Sequence, residues 1–301
     1  MNERKPDRVG QVFAALGKSV CYVGLFLGMQ IAVVLPLYVS VISEMITGES
    51  VVDESAILAL LSVDTMVLSL ISGLLTLAVV LGIYLIRRKK LSEALWLRPV
   101  NGSILLTGAS LTPLLYLAVT TMLALLPEEW MESYSEASAG IDTGTVIGVI
   151  AVALVAPIVE EVIFRGLMMN RMARVMPGWL AVVLSAAVFG LCHGHPVWFA
   201  YAFVLGAFFG FIDLRADSIL PSVLAHIVFN SIGQIFSFLP ESEEGTEILI
   251  AMGVLLLVGI VTPILNRKAI AALFRSAPAA TVSTPKEHRK PKNYDYDPWD
   301  D

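Results

Sequence analysis

Runs of about 20 apolar residues recur along this chain between short charged connections, and that alternation constrains its fold more than any other feature. A helix rising 1.5 Å per residue needs roughly 20 residues to cross a hydrocarbon core of about 30 Å. Eight stretches meet that length, at 19–43, 60–86, 103–126, 145–170, 179–195, 197–213, 218–239 and 246–265. Hydrophobic residues make up 56% of the 301 and charged residues 15%, against about 25% charged in soluble domains. The expected fold class is all-α, a polytopic membrane protein built as an eight-transmembrane-helix bundle.

The connections test the count. Arg4, Lys5, Arg8 and Lys18 precede the first span, and Glu44, Glu49, Asp53 and Glu54 follow it. Arg87, Arg88, Lys89, Lys90 and Arg98 lie beyond the second, and Glu128, Glu129, Glu132, Glu136 and Asp142 beyond the third. Arg171, Arg174 and Arg215 come after spans four and six, the acidic cluster Glu241 to Glu247 after span seven, and Arg267, Lys268 and Arg275 after span eight. Basic and acid-rich connections thus alternate, and the positive-inside rule places both termini in the cytoplasm, of a plasma membrane if the source is bacterial. A net charge of −6 decides nothing here, because orientation depends on where Lys and Arg lie. No removable signal peptide is read at the N-terminus, so the first apolar segment is expected to stay as an anchor. Cys21 and Cys192 both fall in apolar runs, which argues against a disulfide framework. The organisation expected is a cytoplasmic segment at 1–18, a membrane domain at 19–275 and a disordered cytoplasmic tail at 276–301. Membrane lipids are expected partners; nucleic acid is not.

Charges inside the apolar runs are the exception that needs a reason. An ionised side chain at the centre of a membrane helix costs about 2.5–3.5 kcal/mol on insertion scales, so such residues face protein and mark function. Span four carries Glu160, Glu161 and Arg165 in "PIVEEVIFRG", span five Phe189 and His193 in "FGLCHGHP", and span seven His226 and Asn230 in "LAHIVFN". Glu161 and Arg165 are four apart and share a helix face, as an ion pair requires. Glu160 is rotated from them by roughly 100° and faces something else. Phe189 with His193, and His226 with Asn230, repeat the four-residue spacing. A carboxylate and an imidazole from different helices can hold a water and take its proton, the chemistry of hydrolysis. In this reading Arg165 keeps Glu161 charged, Glu160 is the adjustable base, and His226 and Asn230 supply donors to an oxyanion. At 1.5 Å per residue Glu160 lies about 24 Å from the outer end of span four, so the site belongs in the cytoplasmic half or near the midplane.

"EEVIFRG", "FGLCH" and "HIVFN" resemble the EExxxR, FxxxH and HxxxN motifs of the CAAX protease and bacteriocin-processing (CPBP, or Abi) family, which includes the type II CAAX prenyl endopeptidases. Order and separation agree, and "ADSILPSVLAH" resembles the lead-in to the third motif; the likeness covers about 145–235. It implies an eight-helix intramembrane endopeptidase open to the cytoplasmic side. It also implies that Glu160 is the catalytic glutamate, His193 its partner in activating water, and His226 and Asn230 the oxyanion stabilisers. Glu161, Arg165 and Phe189 would support the site. The substrate implied is a membrane-associated peptide or protein, with or without a lipid.

Other readings of the same residues stay open. His193, His226 and Glu160 could supply three ligands to zinc, making a metalloprotease, although no HExxH is present. Buried charges also suit a proton-coupled transporter or a non-catalytic membrane scaffold. His195 is expected at an interface, Cys192 in packing, and Asp64 at the outer interface of span two. Asp213, Arg215 and Asp217 are expected on a solvated turn, with Asp217 or Ser218 capping span seven and Pro221 in its first turn. The run "GAFFG" at 206–210 offers small residues for close helix packing.

Overall fold

The structure, a computed structural model, describes residues 8–47, 65–138, 144–240 and 245–275. Among these the secondary structure is helical: α1 Arg8–Thr47, α2 Thr65–Ile86, α3 Gly102–Ala124, α4 Glu128–Ser138, α5 Val146–Ala173, α6 Gly178–Leu191, α7 Pro196–Ala216, α8 Leu220–Ser237, α9 Thr246–Leu265 and α10 Arg267–Arg275. Seven of these are long and apolar enough to cross a membrane, and α6 is a shorter apolar helix. The all-α polytopic bundle therefore stands, with one adjustment to span five. It was expected over 179–195, but its helix stops at Leu191 and spans only about 21 Å. The last four residues form a turn, Cys192–His195, that returns the chain into α7. Gly194 takes φ +75°, a left-handed value that glycine adopts without a Cβ penalty. Asp64 and the 276–301 tail lie outside the described residues.

α5 is the axis of the bundle. It packs against α1 and α2 on one flank and against α6 and α8 on the other. Ile163, Phe164, Met169 and Met172 along it are all but inaccessible, and Phe164 meets Phe26 of α1 and Phe189 of α6 edge to face. α3 and α9 close the far side of α8, pinned by Thr262 Oγ1 donating to Ser110 O at 2.8 Å. Side chains satisfy the helix starts that the sequence provides for. Asn101 accepts from Ile104 N, and Thr145 accepts from Gly148 N.

α5 is not a regular α-helix. Two stretches, Ala151–Val155 and Glu161–Met169, are π-helical, with i→i−5 hydrogen bonds, and they bracket an α-helical turn at Ala156–Glu160. π-turns inside α-helices gather at functional sites, and each shifts the register of the residues beyond it. Proline drives the first one. Pro157 lacks an N–H and its ring clashes with the carbonyl four residues back, so the chain widens there. The helix also runs longer than the expected span, to Ala173. Glu160 therefore sits about 20 Å from either end, at mid-depth.

The turn between α7 and α8 departs from expectation. Asp213 is fully buried rather than solvated, because α7 continues to Ala216 and turns it inward. Asp217 accepts from Trp96 Nε1 at 2.8 Å and pairs with Arg98, so it docks the 91–98 connection instead of capping α8. The N-cap of α8 is Ile219 rather than Asp217 or Ser218; Ser218, one residue earlier, accepts from Leu220 N through Oγ at 3.3 Å, and Pro221 lies in the first turn as expected.

Candidate active site

Three helices deliver the polar groups. α5 presents Glu160 and Glu161, α8 presents His226, and their side chains meet. His226 Nδ1 lies 2.8 Å from Glu161 Oε1 and Nε2 lies 3.7 Å from Glu160 Oε2. A carboxylate only accepts, so Nδ1 carries the proton and donates to Glu161. Nε2 points toward Glu160, an acceptor in the neutral ring and a donor in the imidazolium. A gap of 3.7 Å exceeds a direct hydrogen bond, which leaves both atoms open to a shared third group.

Burial divides the two glutamates. Glu161 has no exposure, whereas the Glu160 side chain keeps 19%. Arg165 is also fully buried, and its Nη1 lies 3.1 Å from Glu161 Oε1. That pair compensates two charges that apolar surroundings would otherwise penalise by several kcal/mol each. The Arg165 guanidinium also rests over the Phe189 ring at 4.4 Å and near Phe209 at 5.7 Å. Glu161 is thus held by Arg165 and bonded to His226, whereas Glu160 approaches only the other nitrogen of that ring, at 3.7 Å.

α6 and the turn after it contribute Phe189 and His193. His193 Nδ1 donates to Phe189 O at 2.7 Å, which leaves Nε2 of the neutral ring as an acceptor. The Phe189 ring meets His193 edge to face at 4.8 Å and His226 at 6.0 Å, so one aromatic side chain spaces the two imidazoles. Cys192 and Tyr201 lie within electrostatic reach of Glu160, which puts that carboxylate toward the α6–α7 turn bearing His193. Asn230, one turn beyond His226, donates through Nδ2 to Val152 O at 2.8 Å.

His195 behaves differently from His193. It is the N-cap of α7, with Nδ1 accepting from Val197 N at 3.2 Å and Nε2 3.2 Å from Ser133 Oγ of α4. Both ring nitrogens are engaged away from the glutamates. Among the described residues no group of three His, Cys, Asp or Glu side chains lies close enough to hold one metal ion.

Sequence reasoning missed three contributors on α7. Phe209 lies 4.9 Å from the His226 ring. A Cβ on Gly206 would sit 3.1 Å from Arg165 Nη2 and 3.0 Å from Ala186 Cα, so the glycine makes room for the guanidinium. Asp213 is buried beside Glu161, Arg165 and Ser222. The spacing 206, 209, 213 marks one face of a helix and could have revealed them; the nearby Arg215 and Asp217 disguised Asp213 as part of a charged turn.

No curated protein and no solved structure matches the chain. Residues 142–232, about a third of the chain, hold all three motifs and both glutamates and match the family model described as type II CAAX prenyl endopeptidase Rce1-like, the family its motifs resemble.

Proposed function

We propose that this protein is an intramembrane endopeptidase that hydrolyses a peptide bond in a membrane-associated peptide or protein, with Glu160 as the general base. The observation that carries the reading is the division of labour between adjacent carboxylates. Glu161 is buried, paired with Arg165 and bonded to His226, while Glu160 is partly open and faces His226 Nε2 across 3.7 Å. A water held between Glu160 and an imidazole nitrogen can lose its proton to the carboxylate as it attacks a carbonyl carbon. The same carboxyl then returns that proton to the leaving amine. Glu161 fixes the His226 tautomer, as the buried acid does in acid–histidine pairs generally. His193 Nε2, an acceptor, helps to orient the water. The second N–H of Asn230 and a protonated His226 Nε2 are the donors available to the oxyanion. No step in this scheme passes through a metal. A chelator should therefore leave cleavage unchanged, and loss restored only by added zinc would contradict the scheme.

The family match favours a C-a-a-X type substrate. With both termini cytoplasmic, as the alternation of basic and acidic connections suggests, such a substrate would reach the mid-depth site from the cytoplasmic leaflet. The test uses purified protein in liposomes and a fluorogenic farnesylated C-a-a-X peptide. Wild type should release the terminal tripeptide and Glu160→Gln should not. Equal cleavage by both would remove Glu160 from the mechanism.

A further inference from the structure

We propose that Asn230 is a splint for the helix that bears Glu160: its side-chain amide supplies the hydrogen bond that Pro157 cannot make. The N–H of Ala156 reaches back five residues to Ala151 O. In that register the next donor, for Val152 O, is the N–H of residue 157, and proline has none. The carbonyl thus left without a helical partner is the one that Asn230 Nδ2 reaches, at 2.8 Å from the neighbouring helix. A carbonyl unpaired inside a membrane protein is costly, and neighbouring side chains are the usual remedy beside an intramembrane proline.

The consequence falls on Glu160. One residue inserted into a helix rotates everything after it by about 100°, which is also the angle between Glu160 and Glu161. The wide turn ahead of Pro157 therefore governs which glutamate faces His226 Nε2 on α8, while Arg165, beyond the same turn, rotates together with both. α8 holds α5 at two levels, through Asn230 on Val152 and through His226 on the glutamates. Asn230 acts on the reaction through this register, as a positioning residue, in addition to any hydrogen bond from its second N–H. A purely catalytic Asn230 would give no reason for the amide to be spent on a backbone carbonyl two helical turns from Glu160.

Proline and asparagine are then coupled, and a four-protein cycle reads the coupling: wild type, Asn230→Ala, Pro157→Ala and the double variant, each as the full chain in detergent micelles. Replacing Pro157 restores an N–H that can serve Val152 O. Asn230→Ala should lower the unfolding midpoint by about 2–6 °C when Pro157 is present, and by less than half of that in the Pro157→Ala background. On the farnesylated peptide it should lower kcat about 10²-fold when Pro157 is present, with KM within about twofold, and about tenfold or less in the Pro157→Ala background. Equal losses in both backgrounds overturn the splint, as does failure of the asparagine variant to fold in both. Should Pro157→Ala alone not fold, Asn230→Asp decides, since it faces the carbonyl with an acceptor: an unchanged midpoint overturns the proposal. The kcat readout rests on the peptidase reading and the midpoint does not. A wild type that leaves the peptide uncut therefore counts against that reading while the thermal cycle still settles the splint.

Discussion

α5 and α9 are both long apolar helices, and they are built for different neighbours. Forty-four per cent of the apolar window of α5 is buried inside the protein, against 11% for α9. Leu257, Leu265 and Leu249 of α9 are each more than half exposed, as lipid-facing side chains are. α5 instead carries Glu160, Glu161 and Arg165 deep within its length, together with two π-helical stretches. Crossing a bilayer requires none of these. A span that keeps them against the insertion cost is organised around chemistry, and a span without them is organised around lipid.

Substitutions can break that contrast or sharpen it. The largest effect is expected at Glu160. Glu160→Gln keeps the volume and removes the base, so turnover should fall by about 10²–10⁴ while the unfolding midpoint holds. A comparable loss of stability would place Glu160 with the structural charges. Arg165 is the opposite case. Arg165→Met strands Glu161 without its cation, and chemical denaturation in micelles should register a loss of about 3–5 kcal/mol. Replacing both partners with methionine should recover most of that stability and none of the activity, because His226 loses the carboxylate that orients it. Activity in the double variant would show that the buried pair has no part in the site.

Smaller effects distinguish glycines. Gly206→Ala drives a methyl toward Ala186 Cα and Arg165 Nη2 and should cost about 1–3 kcal/mol, with a further fall in turnover as the guanidinium shifts. A Cβ added at Gly253 on α9 would meet nothing within 4 Å, and Gly253→Ala should change stability by at most about 1 kcal/mol, in the favourable direction. Reversal of that order would mean that α9, rather than α7, packs against an unseen surface.

Much of this was legible in the sequence, for physical reasons that also explain the rest. Hydropathy located α9 to the residue, since a lipid-facing helix has no requirement beyond length. The ion pair of Glu161 and Arg165 followed from four-residue spacing, which a widened helix still keeps on one face. What spacing could not give was the partner of each charge across helices. His226, assigned to the oxyanion, is bonded to Glu161 as well, and Asn230 reaches a carbonyl that only the register of α5 leaves open. The early end of span five was hidden because Cys192 and His193 are compatible with helix, and only Gly194 and Pro196 signal the turn. Asp213 was hidden by its neighbours, and the depth of Glu160 by a helix that continues past its apolar run.

Whether Glu160 drives hydrolysis in the membrane can be tested without knowing the substrate. Membrane peptides from cells carrying wild type or Glu160→Gln at equal abundance can be compared by mass spectrometry. At least one precursor should accumulate uncut in the Glu160→Gln cells, with its cleaved form confined to wild type. Identical peptide profiles, with the variant supporting the full cellular phenotype, would contradict the peptidase reading.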